Sequence, residues 1–296
     1  MSPYFLAISG LIFTTFIWGI TFEIVAESLK GIPPLIFSSI RFFVAFFLIF
    51  LTVFIKHKRI NLKKNEIFTG FVCGGFLFLG YFFQSYGLWE NIFFDCSNPN
   101  KSAFITGTSV LMVPIIMIFM GQVNKNIHLW ISIFIVLIGL AILLNPDVEK
   151  FTVGDLLTFG CALSFATHII FQGKYIKDID IYNFFLVQMG TVTLLFICSS
   201  FFEHYYIDSK LDWNFTVWQG ILITGVLGTF VAILIMVWAQ KIVSPIQTAM
   251  IFTLEPVFAG VYNHFFTSYK LTNWGIVAGF IIISGILYNV YKVNRT

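Results

Sequence analysis

Long apolar runs separated by short polar segments make up most of this 296-residue chain. A helix needs about 17–25 apolar residues to cross the hydrocarbon core of a bilayer. Runs of that length predict ten transmembrane helices, at 3–22, 34–54, 67–88, 102–121, 128–144, 155–172, 182–202, 217–238, 246–266 and 274–291. The connections are mostly short, so the pattern predicts an all-α integral membrane bundle with no soluble domain.

The composition supports lipid as the surrounding solvent. Hydrophobic residues make up 58% of the chain and charged residues 10%, whereas soluble domains are about 25% charged. We interpret the 38 phenylalanines as lipid-facing residues rather than as an aromatic-binding site. The lipid bilayer is therefore the first predicted partner of the chain.

The charges at the ends of the predicted helices indicate how the bundle is oriented. If the N-terminus is cytoplasmic, eleven Lys and Arg residues fall on the cytoplasmic side and five on the outer side. Positive residues accumulate on the cytoplasmic side of membrane proteins. We therefore expect a multi-pass protein of the cytoplasmic (inner) cell membrane with both termini in the cytoplasm.

Two segments, 102–114 and 244–256, repeat one pattern: an apolar helix that opens on small polar residues and ends at a proline. Five predicted helices belong to each copy. The sequence therefore predicts two five-helix repeats, 5–146 and 152–291. Because each repeat has an odd number of spans, the second must insert upside down, as in secondary transporters whose site lies between inverted repeats.

Glu255 lies near the middle of the ninth predicted helix, directly before Pro256. A charge at bilayer depth is costly and usually faces a cavity or a partner. Proline removes a backbone donor, and the freed carbonyl needs protein or water nearby. With Pro114 in the fourth helix, Pro256 predicts two kinked helices beside a central cavity. Glu255 either binds a cationic group of a substrate, carries a coupling proton, or is a structural acid bonded to a neighbouring helix.

Two further ionisable residues lie within predicted helices. Arg41 lies about two turns into the second helix, which favours a structural charge over a midplane binding site. The register of the repeat pairs it with Gln188. His168 in the sixth helix is a second candidate for proton coupling beside Glu255, although a histidine hydrogen-bonded to another helix is the favoured alternative.

Polar and aromatic residues on several predicted helices complete the candidate cavity wall. The residues that we expect to line it are Trp18, Thr21, Gln84, Thr106, Ser109, His168, Trp238 and Glu255. Structural alternatives exist, because tryptophan anchors helices at the membrane interface and small polar residues join helices by hydrogen bonds. The small-xxx-small patterns 70–74 and 275–279 indicate close helix packing, within the chain or in a homodimer.

Several chemistries have no motif in this sequence. There is no phosphate-binding Walker loop, no His-Glu-x-x-His and no Gly-x-Ser-x-Gly, so we expect neither an enzyme nor ATP-driven transport. The four cysteines show no disulfide framework or metal-ligand spacing, so we predict no cofactor and no metal. No basic patch interleaved with aromatics points to nucleic acid as a partner.

The chain resembles the EamA-type transporters of the drug/metabolite transporter superfamily from about Ile8 to Tyr288. The segments that carry the resemblance are 18–22, 33–42, 103–107 with Pro114, 154–157, 161–163, 238–240, 244–245 and 251–259. The resemblance implies ten helices in two inverted repeats and a cavity between the first, third, fourth, sixth, eighth and ninth helices. It also implies transport of small metabolites, amino acids among them, without ATP.

The sequence departs from the family pattern at two places. Many relatives have a Gly-Glu pair at the ends of the fourth and ninth helices, where this chain has Gly121-Gln122 and Ser268-Tyr269. The charge role of those glutamates is therefore not carried over. The stretch 92–98 looks like an insertion between the third and fourth helices, and we expect it to reshape the outer mouth of the cavity.

The leading hypothesis is a secondary transporter, and more specifically an exporter, of small metabolites such as amino acids. It would work by alternating access about a central cavity. A nucleotide-sugar or sugar-phosphate transporter is one alternative, disfavoured because Arg41 is the one Lys or Arg residue within a predicted helix. A non-transporting lipid-handling or assembly protein is another, and a sealed bundle without a cavity would favour it.

Overall fold

The computed structural model describes residues 2–57, 60–90, 94–97, 99–122, 126–145, 150–206, 211–266 and 270–293. Within these ranges the chain is helical and has no strands. The helices are α1 (Pro3–Ser28), α2 (Pro34–His57), α3 (Lys64–Leu88), α4 (Pro99–Gly107), α5 (Ser109–Phe119), α6 (Ile127–Leu144), α7 (Val153–Tyr175), α8 (Ile181–Tyr206), α9 (Phe215–Ile223), α10 (Ala232–Ala239), α11 (Pro245–Phe252), α12 (Glu255–Phe266) and α13 (Asn273–Val293). A π-helical segment, Thr224–Val231, joins α9 to α10.

These helices form ten spans. Spans 1, 2 and 3 are α1, α2 and α3, span 4 is α4 with α5, and spans 5, 6 and 7 are α6, α7 and α8. Span 8 runs from α9 through the π-helical segment to α10, span 9 is α11 with α12, and span 10 is α13. In the described part of the chain nine stretches are long and apolar enough to cross a membrane. Span 9 is not among them because an interruption divides it into two short helices. The predicted all-α membrane fold of about ten helices is confirmed.

The largest boundary difference is at the end of span 1, which continues six residues beyond the predicted end at residue 22. The prediction stopped where the apolar run meets Glu23 and Glu27. Glutamate is a good helix former, and the exposed Glu27 pairs with Lys30 at 2.6 Å. The helix therefore extends through its polar last turn, beyond the apolar segment.

Spans 4 and 9 are both interrupted, at different distances from their prolines. In span 9 the helix breaks at residues 253–254 and restarts at Glu255, which leaves Pro256 in the first turn of α12. In span 4 the break is at Thr108, six residues before Pro114, which lies inside α5. Because α5 begins at Ser109, the proline removes only one bond, near the start of that helix. The predicted break at Pro114 is therefore displaced to Thr108.

Each main contact between two spans has a counterpart between the equivalent spans of the two halves. Span 3 packs against spans 6 and 7, and span 8 packs correspondingly against spans 1 and 2. Spans 2 and 7 form a self-matching pair, as do spans 5 and 10. In the latter pair Gly139 lies against Ile282 of span 10, and Gly285 lies against Val136 of span 5. Two equivalent five-span halves that cross the bundle in opposite directions account for these reciprocal contacts.

Ten crossings place Pro3, at the start of span 1, and Val293, at the end of span 10, on one face of the bundle, here named the terminal face; the other is named the opposite face. Buried carboxylates hold helix ends at both faces. Glu203 accepts hydrogen bonds from the backbone N–H groups of Leu35 and Ile36 at the start of span 2, at 2.9 and 3.2 Å. Near the terminal face, Glu66 accepts from the Lys63 backbone N–H at 2.8 Å, at the start of span 3, and from the Asn183 side chain at 3.1 Å. Carboxylates at helix N-termini satisfy free donors and oppose the helix dipole, which fixes these ends.

The small-xxx-small pattern at 70–74 packs inside the chain. A Cβ on Gly70 would lie 2.7 Å from Val187 Cβ, and one on Gly74 would lie 2.8 Å from Thr191 Cβ. These glycines therefore bring span 3 close to span 7. The homodimer stays a prediction.

Gly19→Ala is expected to destabilise the bundle, because Gly19 is where span 1 meets the break in span 9. A Cβ there would lie 2.8 Å from the Glu255 carbonyl oxygen and 2.8 Å from Phe258 Cβ. Overpacking of this kind costs about 1–3 kcal/mol. Gly75→Ala is the matched control, because a Cβ there meets no atom within 4 Å and alanine favours helix by about 0.5–1 kcal/mol. Thermal unfolding in detergent, followed by exposure of the buried cysteine thiols, measures both, and equal stability of the two variants would contradict the close approach.

Candidate functional site

A cavity of about 450 Å³ lies between the two halves of the bundle. Its volume falls within the range of about 300–1,000 Å³ that is usual for small-molecule sites. Spans 1, 2, 3, 4, 6, 8 and 9 supply most of the wall. The polar and charged lining residues are Thr21, Glu23, Arg41, Tyr81, Gln84, Thr106, Ser109, His168, Thr253, Glu255 and Asn263, and the remaining aromatic ones are Trp18, Phe165 and Phe252.

The cavity reaches the opposite face and ends about halfway toward the terminal face. On the opposite side its lining includes Glu23 and Val25 in the last turns of α1, and Leu144 at the end of α6. On the terminal side the lining ends at Ile169 and Met236, which belong to a buried apolar cluster. The structure is therefore open toward the opposite face and closed toward the terminal face.

Glu255, at the break in span 9, lies in the cavity wall. The break makes it the first residue of α12, midway along the span. Among the described residues its carboxylate has no hydrogen-bond donor and no cation as a partner. A partnerless carboxylate at this depth is available to a cationic group or a proton that enters the cavity.

Arg41, which was predicted to be a structural charge, lies in the same wall. Its Nε donates to Thr229 Oγ1 at 2.8 Å, and its guanidinium carbon lies 4.8 Å from the centroid of the Tyr81 ring. Arg41 is only 6% exposed, and no described carboxylate pairs with it. Its remaining guanidinium donors can therefore bind an anionic group of a ligand.

Trp18 is fixed in the wall by a hydrogen bond to span 8. Its Nε1 donates to the Gly228 carbonyl at 2.8 Å, within the π-helical segment. Its ring also meets Phe252 edge-on, with the centroids 4.9 Å apart. A widened helical turn, common at functional sites, thus supplies the acceptor. Trp18 faces the cavity as part of its wall, rather than anchoring span 1 at the membrane surface.

Five other predicted wall residues can be located. Thr21, Gln84, Thr106 and Ser109 line the cavity, whereas Trp238 does not. Trp238 packs against span 1 nearer the terminal face, where a Cβ on Gly10 would lie 3.3 Å from its ring. The prediction placed Trp238 from its residue type, but the side chain fills the space left by a glycine.

His168 lies at the floor of the cavity and contacts a buried amide. Gln188 Nε2 lies 2.6 Å from His168 Nε2 and donates to Gln172 Oε1 at 3.2 Å. Because the amide carries two hydrogens, it can donate to both acceptors. This contact corresponds to the hydrogen-bonded alternative for His168 and leaves Glu255 as the stronger candidate for proton coupling.

Tyr81, Phe252 and Asn263 are among the cavity residues that were not predicted from the sequence. Tyr81 is three residues before Gln84, and Asn263 is eight residues after Glu255. Both intervals return to the same helix face. Helical spacing from Gln84 and from Glu255 therefore indicates that Tyr81 and Asn263 face the cavity. No signal distinguishes Phe252 from the other phenylalanines of this chain.

The loop between spans 3 and 4 covers the start of span 6 near the cavity mouth. Ser97 Oγ donates to Asp155 Oδ1 at 2.6 Å, and Lys101 Nζ lies 2.7 Å from Asp155 Oδ2. Part of the predicted insertion, at 92–93 and 98, lies outside the described residues, as do 268 and 269. Among the described residues there is no group of three or more His, Cys, Asp or Glu side chains that could hold a metal ion.

Known proteins resemble this chain over nearly its whole length. The profile of the EamA-like transporter family matches residues 5–145 and again residues 152–291. An uncharacterized transporter from Archaeoglobus fulgidus is 29% identical over 282 residues, which cover 94% of this chain and 83% of that protein. The uncharacterized transporter YoaV of Bacillus subtilis is 25% identical over 293 residues, 97% of each chain. One crystal structure, 14% identical, superimposes with a TM-score of 0.75 over 96% of each chain and shows the shared fold alone. Since two matches to one family profile cover both halves, the chain belongs to the EamA-like transporter family.

Proposed function

We propose that this protein is a secondary transporter, and specifically an exporter, of small metabolites such as amino acids. The observation that carries the proposal is the presence of Glu255 and Arg41 in one cavity wall, with neither charge neutralised by another described residue. Intramembrane charges usually meet a partner. A ligand with one ammonium and one carboxylate group satisfies both charges at once.

The rest of the cavity wall suits the remainder of such a ligand. Trp18, Phe165 and Phe252 offer apolar surfaces, while Thr106 and Ser109 offer hydroxyl groups. Pockets of this kind, mostly apolar with a few placed polar groups, bind small organic molecules. These features support an amphipathic amino acid as the substrate in preference to an inorganic ion.

The two alternative functions are less well supported. Nucleotide sugars and sugar phosphates carry several negative charges, and Arg41 is the one Lys or Arg among the described lining residues. A lipid-handling or assembly protein has no need of a polar cavity inside its bundle. Both alternatives leave the carboxylate of Glu255 without a function.

The reciprocal packing of the two halves supports alternating access. We propose the repeats 5–146 and 152–291 as units that rock against each other around the cavity. If both termini are cytoplasmic, the state described here is open to the outside of the cytoplasmic membrane. Export then requires a second state, open toward the terminal face, that loads substrate from the cytoplasm.

The proposal is tested by exchange of leucine across liposomes that contain the purified protein. Isoamylamine lacks the carboxylate of leucine, and N-acetylleucine lacks its cationic amine. Each analogue loses one charge-assisted contact, worth about 1.5–3 kcal/mol, so we expect both to exchange at least about tenfold more slowly than leucine.

Four outcomes would contradict parts of the proposal. If isoamylamine exchanged as fast as leucine, Arg41 would not recognise the substrate carboxylate. If N-acetylleucine did so, Glu255 would not recognise the substrate amine. Absence of exchange for a panel of the neutral amino acids would remove amino acids as the substrate class. Comparing net flux in inside-out and right-side-out vesicles tests the direction, and uptake favoured over release would overturn export.

A further inference from the structure

Four buried polar side chains form a continuous hydrogen-bonded chain beneath the floor of the cavity. It begins at His168, whose Nε2 lies 2.6 Å from Gln188 Nε2, and Gln188 donates to Gln172 Oε1 at 3.2 Å. Gln172 Nε2 then donates to Gln240 Oε1 at 2.6 Å, and Gln240 Nε2 donates to the Ile169 carbonyl at 3.1 Å. The four side chains belong to residues that are at most 1% exposed. They join spans 6 and 7 to the end of span 8.

This chain of amides occupies the closed side of the bundle. Gln240 directly follows α10, at the terminal face. Two further contacts hold the same region: a Cβ on Gly173 would lie only 2.8 Å from Pro245 Cγ, and Lys241 Nζ donates to the Ile179 carbonyl at 2.6 Å. The end of span 6 is thus attached to the connection between spans 8 and 9, where the cavity is sealed.

The polarity of this seal is not what a permanent joint needs. Apolar side chains of similar volume seal a buried contact without the cost of desolvating amides. The chain is also incompletely satisfied, because Gln188 Oε1 is buried without a hydrogen-bond partner, and an unpaired buried acceptor is destabilising. Amides are favoured, however, at a joint that separates and is exposed to water in another state.

The repeat indicates what these residues face in that other state. Gln188 lies seven residues after the start of α8, and Arg41 lies seven residues after the start of α2. Gln188 and Arg41 are therefore equivalent positions of the two repeats, 147 residues apart, and the same offset of 147 relates His168 to Thr21. Arg41 and Thr21 line the cavity, which is open on their side. When the two halves exchange roles, Gln188 comes to line a cavity that is open to the terminal face, and His168, at the floor of the present cavity, lies in its wall.

We propose that His168, Gln188, Gln172 and Gln240 form the gate of the terminal face. They bond to one another when this face is closed, and they separate when it opens, so that the three glutamines join His168 in the cavity wall. Gln188 Oε1 then accepts a hydrogen bond from the substrate. The gate rests on the alternating access of the proposed function, but not on the identity of the substrate.

The gate is tested by measuring from which face a cysteine can be labelled, with no substrate present. In a chain whose native cysteines are replaced by serine, Ala103→Cys reports the cavity wall of the open side, and Ala239→Cys reports the buried terminal side. A membrane-impermeant maleimide is added to vesicles of either orientation. A protease-cleavable tag on the C-terminus identifies the terminal face.

Gln240→Met should open the gate, because methionine keeps the length of the side chain and removes both of its hydrogen bonds. The closed state then contains an unpaired Gln172 donor, and the Ile169 carbonyl loses the bond that it accepts in addition to its own helix's. Because a buried hydrogen bond is lost, we expect labelling of Ala239→Cys from the terminal face to rise about fivefold or more, and labelling of Ala103→Cys from the opposite face to fall. Gln122→Met is the control: Gln122 is exposed near the same face, and labelling should not change.

Gln172→Met should act in the same direction, since it removes the same bond from the other side, together with the bond from Gln188. The double variant should then exceed neither single variant by more than twofold, because residues that share one interaction are not additive. Fully additive effects would overturn the shared bond as the gate. Unchanged labelling in variants that remain folded, with or without lower thermal stability, would make the amides a static joint and overturn the proposal. Labelling that shifts as expected while leucine exchange fails would reject the substrate and support the gate.

Discussion

Glu255→Gln is expected to remove the response of transport to a pH gradient and to slow leucine exchange about tenfold or more. Glutamine keeps the size of the side chain but carries neither a negative charge nor a transferable proton. A charge-assisted hydrogen bond to a substrate ammonium is worth about 1.5–3 kcal/mol, and each 1.36 kcal/mol corresponds to one factor of ten. Initial rates of leucine counterflow, and of accumulation driven by an imposed pH gradient, measure the two effects separately in liposomes.

The two readouts assign the role of Glu255. Loss of exchange with an intact gradient response would restrict Glu255 to binding the ammonium group, whereas full gradient-driven flux would exclude it as the coupling residue. Glu27→Gln is the matched control. Glu27 belongs to span 1, four residues beyond the cavity residue Glu23. It is exposed and paired with Lys30, so the loss of its charge should leave both readouts unchanged.

The fold could be predicted from the sequence because the hydrophobic pattern is strong at the scale of whole spans. In a bilayer, a single chain segment can pair its own backbone groups only as a helix. The length of each apolar run therefore predicts nearly every span. Boundaries were weaker where good helix formers extend a helix beyond its apolar part, as at Glu27. The position of a break was weaker still, because a proline near the start of a helix, such as Pro114, removes only one bond.

The candidate site was less predictable, because it depends on contacts between spans that are distant in the sequence. The depth of Arg41 along span 2 favoured a structural role. Its orientation is set by Thr229 of span 8 and Tyr81 of span 3, and neither contact has a signature in the pattern around Arg41. Trp238 is the opposite case. It was predicted to line the cavity because it is aromatic, but its ring occupies the space beside Gly10 instead. Glu255 was identifiable because an acid before a proline in an apolar span is unusual by itself.

Lys101→Met is expected to lower the free energy of unfolding by about 3 kcal/mol. Lys101 lies one residue before the predicted start of the fourth helix, but in the structure it belongs to α4. Its Nζ is 2.7 Å from Asp155 Oδ2, with side-chain exposures of 11% and 0%. Removing one partner of a buried ion pair costs about 3–5 kcal/mol, because the other charge stays buried without compensation. We expect the lower end of this range because Ser97 Oγ and the Thr152 N–H also donate to the Asp155 carboxylate, at 2.6 and 2.8 Å.

Lys150→Met is the matched control for this variant, on the same face of the bundle. Lys150 Nζ lies at the same distance of 2.7 Å from Asp95, but the side-chain exposures are 74% and 65%, and exposed pairs contribute about 0–1 kcal/mol. Unfolding in detergent, followed by the reactivity of the buried Cys73 and Cys161 thiols, should therefore separate the two variants clearly. Adding Asp155→Asn to Lys101→Met should recover part of the lost stability, because no charge is then left buried without a partner. Equal stability of Lys101→Met and Lys150→Met would show that burial does not strengthen the Lys101–Asp155 pair.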